Sequence, residues 1–394
     1  MVRYAKRMEQ LTQSDIGDLL KLIAQPDIIS FAGGLPAAEL FPVEQLRQAC
    51  DAVLDQIGQV ACQYSSTEGF PALREKIAQR MKDKNNIETD ADHILITSGS
   101  QQGLDFAGRV FLDKGDVVLM ESPSYLGAIN AFKGCEPTFL EVPTDDGGMN
   151  VEALEKILST TENVKMIYVI PDFQNPTGRT WTLERRQKFM EVVNRYEIPV
   201  IEDNPYGELR FENDTLPALK SMDPKGLVVY LGTFSKILVP GYRLGWVCAS
   251  DEILSMFNFI KQGADLQTPT VTQLEVNQFM EMFDLDEHVD VIRETYRHRR
   301  DVMMEAMETY FPKEVKFTHP DGGLFTWVEL PDYINSRDMA VQCLEKKVAY
   351  VPGDSFFPNG GKYNCFRMNY SGMPDDKIVA GIQAIAEVIR ANLK

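Results

Sequence analysis

Lys236 is a single amine at the end of an apolar run, Val228 to Gly232, with the hydroxyls of Thr233 and Ser235 beside it and Arg243 seven residues further on. A lysine so placed can form a Schiff base with an aldehyde, and hydroxyls with a guanidinium can hold a phosphate. Taken alone, a lysine after a strand is usually just solvated. Other run ends add to it. In Glu202-Asp203-Asn204-Pro205-Tyr206 a carboxylate ends a buried run, which is costly unless a cation or donor faces it. Asp203 therefore pairs with a protein base or faces a protonated ring nitrogen, and Tyr206 is near enough in sequence to reach the same ligand. Asn175 precedes a proline, which restrains it to extended backbone. That suits an amide held toward a ligand oxygen, and equally a plain turn. Ser98-Gly99-Ser100-Gln101-Gln102-Gly103 opens a helical pattern reaching Phe111. Free N–H groups at such a helix start can receive a phosphate, though many such turns hold no ligand. Tyr125, after Val117 to Met120, can lie flat on a planar ligand or serve as a core or rim tyrosine. Together these ends ask for a planar, phosphorylated, pyridine-like molecule.

The elements that must position them are strands. Short β-branched runs stand at Ile94 to Thr97, Val117 to Glu121, Thr138 to Val142, Lys165 to Ile170, Pro199 to Glu202, Val228 to Gly232 and Leu244 to Ala249, with amphipathic stretches such as Leu183 to Tyr196 between them. This alternation predicts an α/β fold with a mostly parallel sheet covered on both faces, and ligands then sit at the carboxyl ends of the strands. From about Leu285 the texture changes. A charged helical stretch, Asp286 to Tyr310, leads into Val315 to Phe317, Leu324 to Leu330, Val348 to Val351 and Cys365 to Tyr370, then a last helix from about Asp375 to Asn392. This reads as a smaller α+β domain, and the absence of repeats and low-complexity linkers predicts close packing of the two parts.

Composition bounds the function. A chain of 394 residues is long enough for two to three domains, or for one large domain with a smaller companion. A net charge of −18 argues against nucleic-acid and anionic-lipid partners. No apolar stretch approaches the ~20 residues of a membrane span, and Met1 to Gln10 lacks the apolar segment of a signal peptide. Six cysteines without a CxxC pair predict reduced thiols in a cytoplasmic protein. Four isolated histidines without HExxH predict no metal site.

In chain order, Ile29-Ser30-Phe31-Ala32-Gly33-Gly34-Leu35-Pro36, Gln63-Tyr64 with Glu68-Gly69, Ser98 to Gln101, Asn175-Pro176-Thr177-Gly178, Asp203 to Tyr206, Thr233 to Lys236 with Arg243, and Arg367-Met368-Asn369-Tyr370 resemble the fold type I pyridoxal-phosphate-dependent aminotransferases of class I/II, in the branch of the 2-aminoadipate and kynurenine enzymes. The resemblance covers nearly the whole chain. It implies a seven-stranded, mostly parallel sheet in a large pyridoxal 5'-phosphate domain (41–285), a small α+β domain (286–394), and an N-terminal segment (1–40) packed against the small domain and the substrate entrance. Lys236 would carry the cofactor as a Schiff base, Asp203 would keep the pyridine nitrogen protonated, and Tyr125 would stack on the ring. Asn175 and Tyr206 would bond the phenolic oxygen, while Ser100, Gln101, Thr233, Ser235 and Arg243 would surround the phosphate. Tyr64 would reach the phosphate of a neighbouring subunit, implying a homodimer. Arg367 would clamp the substrate α-carboxylate, with Asn175 beside it and Gly33 and Gly34 lining the entrance.

The implied reaction moves an amino group from an amino acid to a 2-oxo acid, 2-oxoglutarate being the expected acceptor, in a ping-pong cycle. Rivals on the same scaffold are a β-eliminating lyase or a decarboxylase. A non-catalytic, cofactor-binding regulatory domain is a further alternative, disfavoured by the acidic charge and by a fold that starts within the first few dozen residues. One departure bears on substrate: where relatives that favour acidic side chains carry an arginine in the N-terminal helix, the stretch Ser14 to Lys21 has Gly17, flanked by Asp15 and Asp18. This predicts aromatic or aliphatic donors over 2-aminoadipate, unless Arg3 or Arg7 takes the arginine's place. Lys236→Ala is expected to abolish turnover and the Schiff-base absorbance; retained transamination with the wild-type spectrum would contradict the assignment.

Overall fold

The computed structural model describes residues 2–10 and 27–394; Gly17 and its motif lie outside the described residues. Strand β1 (Ile29–Ser30) belongs to a small parallel pair described below. The central sheet comprises β2 (Ile94–Thr97), β3 (Val117–Ser122), β4 (Thr138–Asp145), β5 (Gly148–Met149), β6 (Val164–Val169), β7 (Val200–Asp203), β8 (Val228–Thr233) and β9 (Gly245–Cys248). Its eight strands run in the order β2-β9-β8-β7-β6-β3-β4-β5. All seven β-branched runs form strands, and the two-residue β5 folds back on β4 as an antiparallel eighth. The five strands from β8 to β4 are parallel, while β9 runs antiparallel to both β2 and β8. β7 and β8 are buried at every residue, as strands covered on both faces must be, and their valine and isoleucine content follows from that.

The covering helices form where apolar periodicity and end signals coincide. In Leu183–Tyr196 the Thr182 hydroxyl accepts the Arg185 N–H, Phe189, Met190 and Val193 turn inward, and Glu197 at φ 55° ends the helix. No helix among the described residues is long and apolar enough to cross a membrane.

The C-terminal region builds a second, antiparallel sheet from β10 (Lys316–Phe317), β11 (Phe325–Glu329), β13 (Val351–Pro352) and β14 (Cys365–Asn369), in the order β10-β11-β14-β13. The single run expected over Val348 to Val351 divides. β12 (Val348–Ala349) pairs in parallel with β1, whereas β13 pairs with β14. Between them Tyr350 stacks on Phe366 at 4.2 Å and donates its hydroxyl to the Ser336 carbonyl at 2.6 Å. Backbone bonds continue past β1: Phe31 N–H donates to Ala349 O and Asn369 N–H donates to Phe31 O, each at 2.8 Å. The Phe31 ring is fully buried against Gly381, where any Cβ would approach it to 2.6 Å.

Phe31 thus anchors the segment that continues into Ala32, Gly33 and Gly34. Phe31→Ala is expected to cost about 3–5 kcal/mol in urea unfolding and to open the chain near residues 27–36 to limited proteolysis. Unchanged stability and unchanged digestion would remove the anchoring role.

Candidate active site

At the carboxyl ends of the parallel strands lies a cavity of about 460 Å³, lined from the sheet side by Tyr125, Asn175, Asp203 and Lys236 and from the opposite side by Gly33, Gly34, Phe325 and Arg367. Asp203 ends β7 at 1% exposure. Its Oδ2 accepts the Tyr168 hydroxyl at 2.9 Å, and its Oδ1 is buried without a partner. Loss of solvent pushes the carboxyl up to about 7, against the opposing pull of the Tyr168 hydrogen bond. Lys236 follows β8, and its Nζ donates to the Gly34 carbonyl at 2.8 Å. Desolvation, then the charges of Arg367 and Arg243, lower the amine to about 8. The shift enlarges the neutral fraction near pH 7, and the neutral amine is the form a nucleophile or proton acceptor requires.

A cup opens beside them. Gly99, at φ 73°, caps the helix Ser100–Phe111, so Ser100 and Gln101 present a helix start to the cavity. The Thr233 hydroxyl donates to Ser235 Oγ at 3.0 Å, and Arg243 Nη1 approaches the same oxygen at 3.4 Å. Arg243 itself sits at φ 51°. Glycine is needed at two points of this cup. A Cβ on Gly99 would lie 2.6 Å from Arg243 Nη2, and one on Gly245 would lie 2.7–2.8 Å from the backbones of Gly232, Gly99 and Ser100. The free N–H groups, two hydroxyls and one guanidinium converge on a space suited to a phosphate. Gln101 Nε2 donates to Gly127 O at 3.0 Å, and the Tyr125 ring lies over Gly127, where a Cβ would come within 2.3 Å of it.

On the other wall, Arg367 from β14 donates Nη1 to Asn175 Oδ1 at 2.8 Å and Nη2 to Ala32 O at 2.7 Å, leaving Nε buried and unpartnered. Its guanidinium lies 4.1 Å from the Phe325 ring centroid and 5.1 Å from that of Phe356. Burial lowers it to about 10. Asn175 Nδ2 faces the Tyr206 hydroxyl at 3.4 Å, and Tyr206 packs edge-on to Phe325. A Cβ on Gly34 would touch the Phe325 ring at 3.1 Å. Every site residue singled out in the sequence meets in this cavity except Tyr64, which is 81% exposed and borders a separate surface depression with Gln63 and Ser65.

Comparison with known proteins agrees with this geometry. The family described as aminotransferase class I and II matches residues 27–385. The chain belongs to this family. It is 42% identical to the aromatic-amino-acid aminotransferase 1 of Thermococcus litoralis, covering 99% of this chain and 95% of that one. It is 40% identical to the 2-aminoadipate transaminase of Thermus thermophilus, covering 99% and 97%. The crystal structure of Pyrococcus horikoshii kynurenine aminotransferase in complex with PMP superposes with a TM-score of 0.95 at 42% identity, covering 99% and 98%. This aminotransferase is accordingly a pyridoxal-phosphate-dependent transaminase of fold type I. Its own residues fit the cofactor: the unpartnered Asp203 Oδ1 suits a ring N–H⁺, and the glycine-lined cup suits the phosphate.

Two residues with functional placement escaped sequence reasoning. Tyr168 is the lone hydroxyl in the strand Val164–Val169, and a polar tip within its buried stretch, residues 166–169, was the available signal. Gln174 donates Nε2 to Pro123 O at 2.8 Å and accepts Thr177 N–H at 3.0 Å. It thereby ties the turn before Tyr125 to the loop bearing Asn175, and nothing in the sequence pattern marks it.

The Asp203 carboxyl sets a pH dependence. Folding raises it from the ordinary 3.8 to about 7, so in the cofactor-free aminotransferase the folded state binds the extra proton. The associated stability is full below the unfolded value and is lost as pH rises through about 7. Asp203→Asn should leave the melting temperature of the cofactor-free protein near wild type at about pH 4 and raise it at about pH 8, by at most about 4 kcal/mol of stability. Glu121 and Glu202, buried and raised in the same direction, are common to both proteins and cancel. A difference independent of pH would contradict the burial account.

Proposed function

We propose that the cavity is the transamination centre, with each residue in the role its surroundings fit. The carrying observation is the convergence, in one space of about 460 Å³, of Lys236, the unpartnered face of Asp203, the cup at Ser100 and Arg243, and Arg367. Pyridoxal phosphate, when bound, supplies an electron sink for the negative charge that develops at the substrate α-carbon. Asp203 Oδ1 accepts the ring N–H and keeps that nitrogen protonated. Tyr125 lies against the ring, while Asn175 and Tyr206 bond its phenolic oxygen. Ser100, Gln101, Thr233, Ser235 and Arg243 hold the phosphate. Lys236 Nζ, already lowered to about 8, takes the proton from the substrate α-carbon. Arg367 and Asn175 hold the substrate α-carboxylate, and Gly33 and Gly34 leave room for its approach.

The donor is proposed to be an aromatic or aliphatic amino acid, and the acceptor 2-oxoglutarate. Among the described residues, the cations lining the cavity are Lys236, Arg243 and Arg367, each already assigned, while Leu35, Leu126, Val351 and Phe356 supply apolar wall. The Thermococcus relative is named for aromatic amino acids and the Pyrococcus one for kynurenine. Tyr64 is proposed to complete the site of a partner subunit in a homodimer, which accounts for a tyrosine left 81% exposed. The division into 1–40, 41–285 and 286–394 is part of the same reading, supported by the break between the sheet ending at Cys248 and the one starting at Lys316. So is a cytoplasmic setting, supported by six cysteines that are all free.

Mixing the purified enzyme with leucine, phenylalanine, kynurenine and 2-aminoadipate, and following conversion of the cofactor absorbance to its amine form, tests the reading. Phenylalanine, leucine or kynurenine should exceed 2-aminoadipate in kcat/KM by about tenfold, and turnover should require a 2-oxo acid. A clear lead for 2-aminoadipate overturns the donor class. Release of ammonia or carbon dioxide without an acceptor overturns the reaction.

A further inference from the structure

Behind the phosphate cup lies a buried ammonium with no part in the chemistry above. Lys261, in the helix Asp251–Ala264, has no solvent exposure. Its Nζ reaches three partners: Gln102 Oε1 at 3.1 Å, the Asp265 carboxylate at 2.9 and 3.0 Å, and Thr268 Oγ1 at 3.0 Å. An ammonium has three N–H groups, so this set satisfies it completely. A buried charge is retained at a cost and only where such partners surround it.

Those partners converge on the turn between β2 and the helix Ser100–Phe111. Gln102 Oε1, besides receiving Lys261, accepts the Ser98 N–H at 2.9 Å, and Gln102 Nε2 donates to Asp265 Oδ2 at 2.7 Å. The Thr268 hydroxyl donates to Ile96 O at 3.3 Å, inside β2. Beyond its own Thr97–Gly99 bonds and the Ser98 Oγ contact to Asp265 Oδ2 at 3.5 Å, the turn is therefore braced from behind by this charge, while its front face, Gly99 and Ser100, packs against Arg243 and Gly245. Without Lys261, Gln102 Oε1 and the Asp265 carboxylate would lose their shared cation, and the Ser98 bond would lose its support.

We propose that Lys261 is a positioning residue that acts through Gln102 to hold the Ser98–Gln101 turn in the conformation that receives the cofactor phosphate. This deepens the phosphate assignment proposed above and rests on it. The test is the affinity of the full chain, stripped of cofactor, for pyridoxal phosphate and for pyridoxal, which lacks the phosphate, read by intrinsic fluorescence. In Lys261→Met the preference for the phosphorylated form should fall about tenfold while pyridoxal affinity stays at the wild-type value. Gln102→Leu keeps the Lys261–Asp265 pair and should show the same selective loss; should Lys261→Met not fold, it decides alone. Wild-type preference for the phosphate in a folded variant, or an equal loss for both ligands, overturns the inference. A wild-type chain that does not discriminate the two ligands overturns the phosphate assignment itself, and this inference with it.

Discussion

A carboxylate stripped of water, with one oxygen bound by a tyrosine and the other by nothing, is the constraint around which the site is arranged. Asp203 stands at the carboxyl end of β7, near the middle of the sheet, where neither face admits solvent. The Tyr168 hydroxyl, from neighbouring β6, is the one hydrogen bond among the described residues opposing the desolvation that raises it. Such a group takes up a proton or acquires a cation. A protonated ring nitrogen would resolve the conflict, and the parallel strand order puts other polar groups of the cavity within reach of it. Tyr168 arrives from one neighbouring strand, and Lys236 from the turn after the other.

Charge in the cavity is opposite to charge in the chain as a whole. The sequence carries −18, yet Lys236, Arg243 and Arg367 line the cavity against Asp203 alone among the described residues. A locally positive cleft in an acidic protein concentrates small anions and discourages polyanionic surfaces. Loss of solvent does most to keep the Lys236 amine low, and the same excess of cations adds to it, since Arg367 and Arg243 both oppose its protonation. An arriving phosphate or carboxylate would relieve that opposition, so ligand binding and the protonation of the amine are linked.

The far wall rests on a different principle. Arg367 is held by directional bonds to Asn175 and Ala32 and by two aromatic faces, Phe325 and Phe356. A guanidinium sandwiched in this way loses little freedom when it grips a carboxylate. Its placement depends on three chain regions far apart in sequence: the segment after β1, the loop at Asn175, and β14. Phe31 and the β1–β12 pairing hold the first of these in place.

Local chemistry determined much of this protein before any contact was known. β-branched runs of strand length specified the seven main strands, and the residues ending them pointed to a planar, phosphorylated ligand, because strand propensity and the reactivity of a lysine, a carboxylate or a glycine turn are carried by a few neighbouring residues. Tertiary structure decided what neighbours in sequence cannot. It set β9 antiparallel, divided Val348 to Val351 between two sheets, bonded Tyr168 to Asp203, and left Tyr64 on the surface. Those outcomes turn on which distant groups share a register or compete for one buried hydrogen bond. That competition is settled only when the whole chain is packed.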